Sequence, residues 1–355
     1  MVNFSGQIEK IHMPFFSYLD VYFDLGTSYT RIAVKDKGIV VREPTVLGMN
    51  KKVKEYMFFG REAKQIIGKV PDFIAIEKPV QNSIIANFDG EVALLQSLLS
   101  KAVSPYLSSH KIFKPALRAG VAIPTIATEI EQRAVEEILY KIGMSKVTLY
   151  EKSMITAVGC GFNVFLHQPI CIVDMGGGII EISVISGGGT VIQKTLKNAG
   201  EHMNKLIYNY LYLKYGIILG ETTIEDVKIA LLNFTGDEKT ETVRGKSLET
   251  GLPKAIKVKT SDIKEALLSN FNQILDTIKE VIELSPPEVV DELYKNGILL
   301  TGGAANAPGI ETYFKEELKI DVKIAEQKDT ATVSGLMRAG RRRDYKERLQ
   351  FFTQG

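Results

Sequence analysis

The sequence predicts an α/β fold made of two related lobes, and three observations carry that prediction. A β-rich run that ends in an aspartate, a glycine turn and a second alternating run occur together twice, at Asp24-Leu25-Gly26 and at Asp174-Met175-Gly176, 150 positions apart. Helical patterns and further strands alternate between and after these units. The chain has 355 residues, 45% of them hydrophobic, enough to bury the cores of two domains.

From Tyr18 the chain reads YLDVYFDLGTSYTRIAVKDKGIVV, whose alternation on both sides of Gly26 predicts a hairpin. Apolar residues at helical spacing follow from Glu91 to Ala102. The run ALRAGVAIP predicts a strand closed by Pro124, and a helix is expected from Glu129 to Ile142. KVTLYEKSMITAVGCGF reads as a short strand running into a helix that stops near Gly161. At Pro169 the first hairpin's pattern returns in PICIVDMGGGIIEISVISGGG. A helical region spans Glu201 to about Leu232, and the polar, glycine-dotted stretch from Gly236 to Pro253 reads as a small exposed subdomain. A long helix from Ser261 to Leu284 is broken by Pro286-Pro287, and a further helix and the strand GILLTGG close the second half. The first lobe is expected over residues 1–160, with its core at about 18–40 and 85–160, residues 330–355 added to it, and a small subdomain at about 41–84. The second is expected over 161–330, with its core at about 161–195 and 255–330 and a small subdomain at about 196–254.

Charge and composition exclude several functions. Forty-four Lys plus Arg against 42 Asp plus Glu give a net charge of +2, too little for a nucleic-acid footprint, so no nucleic acid is expected as a partner. The four histidines are scattered, and Cys160 and Cys171 make no metal-ligand pattern, which argues against structural zinc and a disulfide framework. No apolar run approaches the ~18 residues that span a bilayer, and no secretory leader is visible, so a cytoplasmic chain is expected.

The two Asp-Gly hairpins carry the chemistry. Without a Cβ, a glycine turn lets backbone N–H groups close around phosphate oxygens, and the Thr27 and Ser28 hydroxyls add donors. Asp24 and Asp174, each at a strand end, suit a Mg²⁺ ion held through water. LTGGAANAPG after a later strand supplies a third glycine turn. No GxxxxGK[ST] loop and no dinucleotide fingerprint are present.

The segments DLGTSYT, GREAKQIIGKVP, DMGGGIIEISVIS, GETTIEDVK and SPPEVVDELYKNGILLTGG occur in an order that resembles the MreB family of bacterial actins, from about Tyr18 to Ala339. The resemblance implies an actin-like two-lobed ATPase fold, with duplicated ribonuclease-H-like cores, two small subdomains, and ATP with Mg²⁺ in the cleft. By that resemblance Asp24, Gly26, Thr27, Ser28 and Tyr29 form the first phosphate loop, and Asp174, Gly176, Gly177 and Gly178 the second. Asp24 and Asp174 are the implied catalytic and metal-holding acids. Glu225 and Lys228, on one helix face at i and i+3, are implied to approach the ribose and base. Gly302, Gly303 and Ala304 are implied to face the adenine, and Gly200 and Glu201 match the family's Gly-Asp loop with an acid one carbon longer.

Two departures bear on hydrolysis. Lys152 falls where the family places the carboxylate that orients or deprotonates the attacking water, and Ile179 replaces a threonine expected to hold that water. Phosphoryl transfer depends on positioning and charge stabilisation, so weak ATPase activity is expected. An ammonium at position 152 is expected to stabilise bound ATP without accepting a proton. Glu151 is the available substitute base, but adjacent helical side chains point about 100° apart, so it is expected to face elsewhere. Tyr29 replaces the family's asparagine and receives no role.

The resemblance further implies self-assembly into head-to-tail filaments controlling cell shape, or helicity and swimming, at the inner face of the membrane. Two segments offer membrane contact: an N-terminal stripe of Phe4, Ile8, Ile11 and Phe15, and a basic end. In that end Arg338, Arg341, Arg342, Arg343, Lys346 and Arg348 face Asp344 and Glu347, with Tyr345, Leu349 and Phe352 at helical spacing. Tyr106, Leu107, Ile112 and Phe113 form a third candidate. A solvated tail and an N-terminal stripe packed on the protein itself remain open. Two alternatives stand beside the main reading: a fully active rod-shape scaffold for cell-wall synthesis, and a small-molecule kinase of the same superfamily. A chaperone-type ATPase would need a further substrate-binding domain, which 355 residues do not accommodate.

Overall fold

The computed structural model describes residues 18–107 and 115–350. Two five-stranded sheets organise it, with the same strand order and the same directions. In the first, Tyr18–Leu25, Tyr29–Val34 and Gly38–Pro44 form an antiparallel meander, and Ala116–Ile123 and Met144–Glu151 extend it in parallel beyond Tyr18–Leu25. In the second, Ile170–Met175, Ile180–Ser186 and Gly189–Leu196 form the meander, extended in parallel by Ile298–Thr301 and Val322–Ile324. The 150-residue offset holds within the hairpins: Asp24 pairs across the strands with Arg31, and Asp174 with Glu181.

Central strands of such a sheet are covered on both faces and read as continuous apolar runs, which Val21, Phe23, Ile172 and Val173 illustrate. The helices Phe88–Leu107 and Glu129–Lys141 cover the first sheet through Leu94, Leu98, Ile138 and Leu139. A capping box opens the second of them, with Thr128 Oγ1 accepting from the Glu131 amide at 3.3 Å and Glu131 Oε2 from the Thr128 amide at 2.7 Å. The helix Thr260–Glu283 packs its Leu267, Phe271, Ile274 and Ile278 against the second sheet.

A third core joins the two sheets. Tyr22 and Tyr150 from the first, Ile172 and Ile185 from the second, and Ile155 and Leu336 from the helices Lys152–Gly159 and Ala331–Arg341 lie in one cluster. These helices cross where both carry glycine: a Cβ on Gly159 would fall 1.8 Å from the Ala331 carbonyl oxygen, and one on Gly335 1.8 Å from that of Ile155.

The helical region expected from Glu201 to about Leu232 consists of two helices, Gly200–Tyr215 and Glu221–Leu231, parted at Gly216, which adopts φ 57°. The polar stretch after Gly236 is ordered as an antiparallel strand pair, Thr240–Ser247 and Pro253–Lys259. Among the described residues no helix is long and apolar enough to cross a membrane. Phe4, Ile8, Ile11, Phe15, Ile112, Phe113 and Phe352 lie outside the described residues.

Candidate functional site

The two glycine turns meet. Each joins the first two strands of its meander, and the duplicated topology aims both at one crevice between the sheets. A Cβ on Gly177 would lie 2.1 Å from Ser28 Oγ, and one on Gly178 2.1 Å from Thr27 Oγ1, so side chains at these positions would force the turns apart. They border a cavity of about 350 Å³.

Most residues singled out from the sequence line this cavity. Asp24, Gly26, Thr27, Ser28 and Tyr29 enter from the first hairpin, and Asp174, Gly176 and Gly177 from the second. Lys152 enters from the start of its helix, Gly200, Glu225 and Lys228 from two helices of the second half, and Gly302, Gly303 and Ala304 from the turn after Ile298–Thr301. Gly302 has φ 89°, and a Cβ there would stand 2.5 Å from the Met175 carbonyl oxygen, so the third turn is glycine for two reasons. Three expected residues do not line the cavity: Gly178 packs on Thr27, Ile179 is fully buried, and Glu201 turns to Lys78.

Lys152 is the electrostatic centre. Its Nζ lies 2.7 Å from Asp174 Oδ2 and 2.7 Å from Glu181 Oε2. Burial disfavours its charge, but Asp174 and Glu181 outweigh burial and hold the ammonium well above the usual lysine range. It therefore cannot serve as a general base. Glu151 does not line the cavity; its Oε1 accepts from Thr190 Oγ1 at 2.6 Å, Ser153 Oγ at 2.8 Å and Thr125 Oγ1 at 3.1 Å. Asp24 accepts from Arg31 Nη1 at 3.1 Å, and Arg31 Nη2 reaches Asp329 at 2.8 Å, where Arg42 also binds at 2.7 Å. Burial works against the charge on Asp329, yet Arg31 and then Arg42 hold its carboxyl below the usual range. Lys228 bridges Glu225 at 2.8 Å and the Gly200 carbonyl at 3.0 Å.

Facing glycine turns, strand-end acids and a cavity between duplicated sheets are the features expected from the resemblance, and comparison with known proteins agrees. Residues 18–348 match the family model described as MreB/Mbl protein. The chain belongs to the MreB/Mbl family. It is 35% identical over 309 residues to the cell shape-determining protein Mbl of Bacillus subtilis, covering 86% of this chain and 91% of that one. Against the cell shape-determining protein MreB of Escherichia coli it is 33% identical over 322 residues, with 89% and 91% covered. The crystal structure of MreB5 of Spiroplasma citri bound to ADP superposes with a TM-score of 0.86 at 28% identity, covering 93% of this chain and 98% of the other. A MamK double helical filament, at 18% identity and a TM-score of 0.76, shares the actin-like fold.

Within this MreB/Mbl chain, sequence reasoning missed Arg31, Arg42, Glu181, Ser83 and Asp329. Arg31 and Glu181 carried a signal, since they stand seven positions after Asp24 and Asp174 in the two repeats. Ser83, whose amide donates to Thr27 Oγ1 at 2.8 Å, sits with Asn82 in a turn where both have positive φ. Tyr29 finds neighbours the sequence could not supply: Arg42, Lys64 and Arg31 lie 4.8, 5.7 and 5.8 Å from its ring centre. The tail differs from its reading as a two-faced membrane helix. Tyr345 and Leu349 are buried in the core between the sheets, with Tyr345 edge-on to Phe165 at 5.0 Å, so they are not available to lipid.

Proposed function

We propose that this chain binds ATP in the cavity between the two sheets, assembles head to tail into cytoskeletal filaments that govern cell shape, and hydrolyses ATP weakly. The observation that carries the reading is the contact of the two glycine turns beside Asp24 and Asp174. Their backbone N–H groups and the Thr27 and Ser28 hydroxyls suit phosphate oxygens, and the walls around Gly302–Ala304, Glu225 and Lys228 suit a nucleoside. Solved structures of MreB5 of Spiroplasma citri with ADP and with AMPPNP, at 28% and 29% identity, support a nucleotide here. A head-to-tail contact is heterologous and need not close, so one repeated interface yields a filament. The division into lobes near residue 160, with Ala331–Arg341 returning to the first, belongs to the same reading.

Weak hydrolysis follows from Lys152, a cation where water would need a base, and from Glu151, which is committed to three hydroxyls outside the cavity. The Mg²⁺ expected at Asp24 and Asp174 meets a competitor there, since each carboxylate is paired with a cation of the chain itself. Membrane contact is proposed through charge at the tail, where Arg341 and Arg342 are exposed. Arg341→Glu with Arg342→Glu is expected to lower pelleting with anionic vesicles, and unchanged pelleting would remove the tail from consideration. Sedimentation of the full chain with ATP, with ADP and without nucleotide tests the main reading. A polymer that pellets in a nucleotide-dependent way is expected, and a chain that stays in the supernatant under all three conditions would sink it.

A further inference from the structure

A divalent ion between the two turns would take its ligands from the nucleotide's phosphates, from water and from one or two carboxylates that carry no cation of their own. The side chains present do not fit that requirement. Asp174 carries Lys152 at 2.7 Å, Asp24 carries Arg31 at 3.1 Å, Asp329 carries Arg31 and Arg42, and Glu225 carries Lys228. Every acidic side chain lining the cavity is thus already paired with a cation of the chain. Among the described residues no group of three or more His, Cys, Asp or Glu side chains is arranged to hold a metal.

The duplication explains why Lys152 is needed. At equivalent positions the first repeat pairs Asp24 with a cation, Arg31, whereas the second sets Asp174 opposite another acid, Glu181. Like charges directly opposite one another destabilise a strand pair, more so when one of them, Glu181, is only 2% exposed. Lys152, from the helix behind, resolves that conflict with one ammonium shared between two carboxylates. Lys152 and Arg31 already bring two positive charges to Asp174 and Asp24, as many as a divalent ion would bring. An ion bound directly by Asp174 would have to expel Lys152 from a largely buried pair that Glu181 shares.

We propose that this chain binds its nucleotide without a divalent cation, the Lys152 ammonium standing in the metal's place beside Asp174 with Arg31 at Asp24. An ammonium has three N–H donors; two are spent on Asp174 and Glu181, and the third, without a partner among the described residues, can meet a phosphate oxygen as a point charge. The proposal rests on the nucleotide-binding reading, and the test separates the two. Calorimetric titration of the full chain with AMPPNP, once in excess MgCl₂ and once in EDTA, is expected to give Kd values within about threefold of each other. Binding in MgCl₂ that weakens more than about tenfold in EDTA would overturn metal independence while leaving the nucleotide site intact. Absence of binding in both buffers would overturn the site itself. Lys152→Gln leaves Glu181 buried and unpaired, so Lys152→Gln with Glu181→Gln is the variant of choice, because it removes the internal ammonium and keeps the local charge even. In that variant binding is expected to become Mg²⁺-dependent by about tenfold or more, and equal affinity in the two buffers would show that Lys152 only relieves the Asp174–Glu181 conflict.

Discussion

Lys152 is the first residue of the helix Lys152–Gly159, a position whose free backbone N–H groups favour negative charge. Its presence there is tolerable because two carboxylates hold it, and the same two keep it charged. Lys152→Glu with Glu181→Gln and Ile179→Thr, which avoids three adjacent carboxylates without a cation, is expected with excess Mg²⁺ to raise steady-state phosphate release about tenfold or more. Ile179→Thr alone is expected to change little, because Ile179 is fully buried and outside the cavity lining; equal rates for wild type and the folded triple variant would refute the assignment. Glu91 is a second residue out of place. It is fully buried in the first turn of Phe88–Leu107, neither carboxyl oxygen has a partner among the described residues, and burial pushes its carboxyl up to about 8 from 4.5. Between those values the unfolded chain releases a proton that the folded chain keeps, so stability falls as pH rises through the window and levels off above it. Urea unfolding is expected to show Glu91→Gln gaining on the order of 3 kcal/mol relative to wild type between pH 5 and pH 8. A difference that stays constant with pH would exclude Glu91 as the source. At this scale the sequence identified the turn residues but not their partners, because the contact between Lys152 and Glu181 is fixed by the packing of a helix on a distant hairpin.

The helices Lys152–Gly159 and Ala331–Arg341 meet at a distance set by backbone rather than side chains. Gly335→Ala would drive a methyl to 1.8 Å from the Ile155 carbonyl oxygen, which has no rotamer to escape through. The expected cost is about 3 kcal/mol, read as a lower Tm and an earlier urea midpoint, and a melt indistinguishable from wild type would show that the crossing is looser than drawn. Elements of this kind were legible where periodicity was long: the helix expected over Ser261 to Leu284 is Thr260–Glu283. The strand pair Thr240–Ser247 and Pro253–Lys259 was hidden because only Val243, Ile256 and Val258 among its apolar side chains turn inward, while lysine, glutamate and threonine fill the outer face. Gly216 likewise gave no sign in the helical pattern that its positive φ would end one helix and start a short strand before the next.

Across the whole molecule the duplicated sheets were foreshadowed by two aspartates 150 positions apart, since each repeat needs the same strand, turn and strand to build its hairpin. What joins the halves was not legible, because it depends on residues far apart in the chain that no local pattern links. Lys78, between the strands Ile74–Glu77 and Val80–Gln81, reaches Glu201 at 3.1 Å and also Glu221, on two separate helices of the other half. Its side chain is 32% exposed, so salt and water screen the pair and its contribution is about 1 kcal/mol. That is small against folding but large against the opening of a cleft, because it acts only when the halves separate. Lys78→Ala is therefore expected to leave Tm nearly unchanged and to speed release of a fluorescent ATP analogue roughly fivefold in stopped-flow displacement. Wild-type release should accelerate in high salt toward the variant's rate, as screening removes the same clasp. Identical release rates for the two proteins in low salt would mean that the cleft is held by the Gly159–Gly335 crossing and its surrounding core alone.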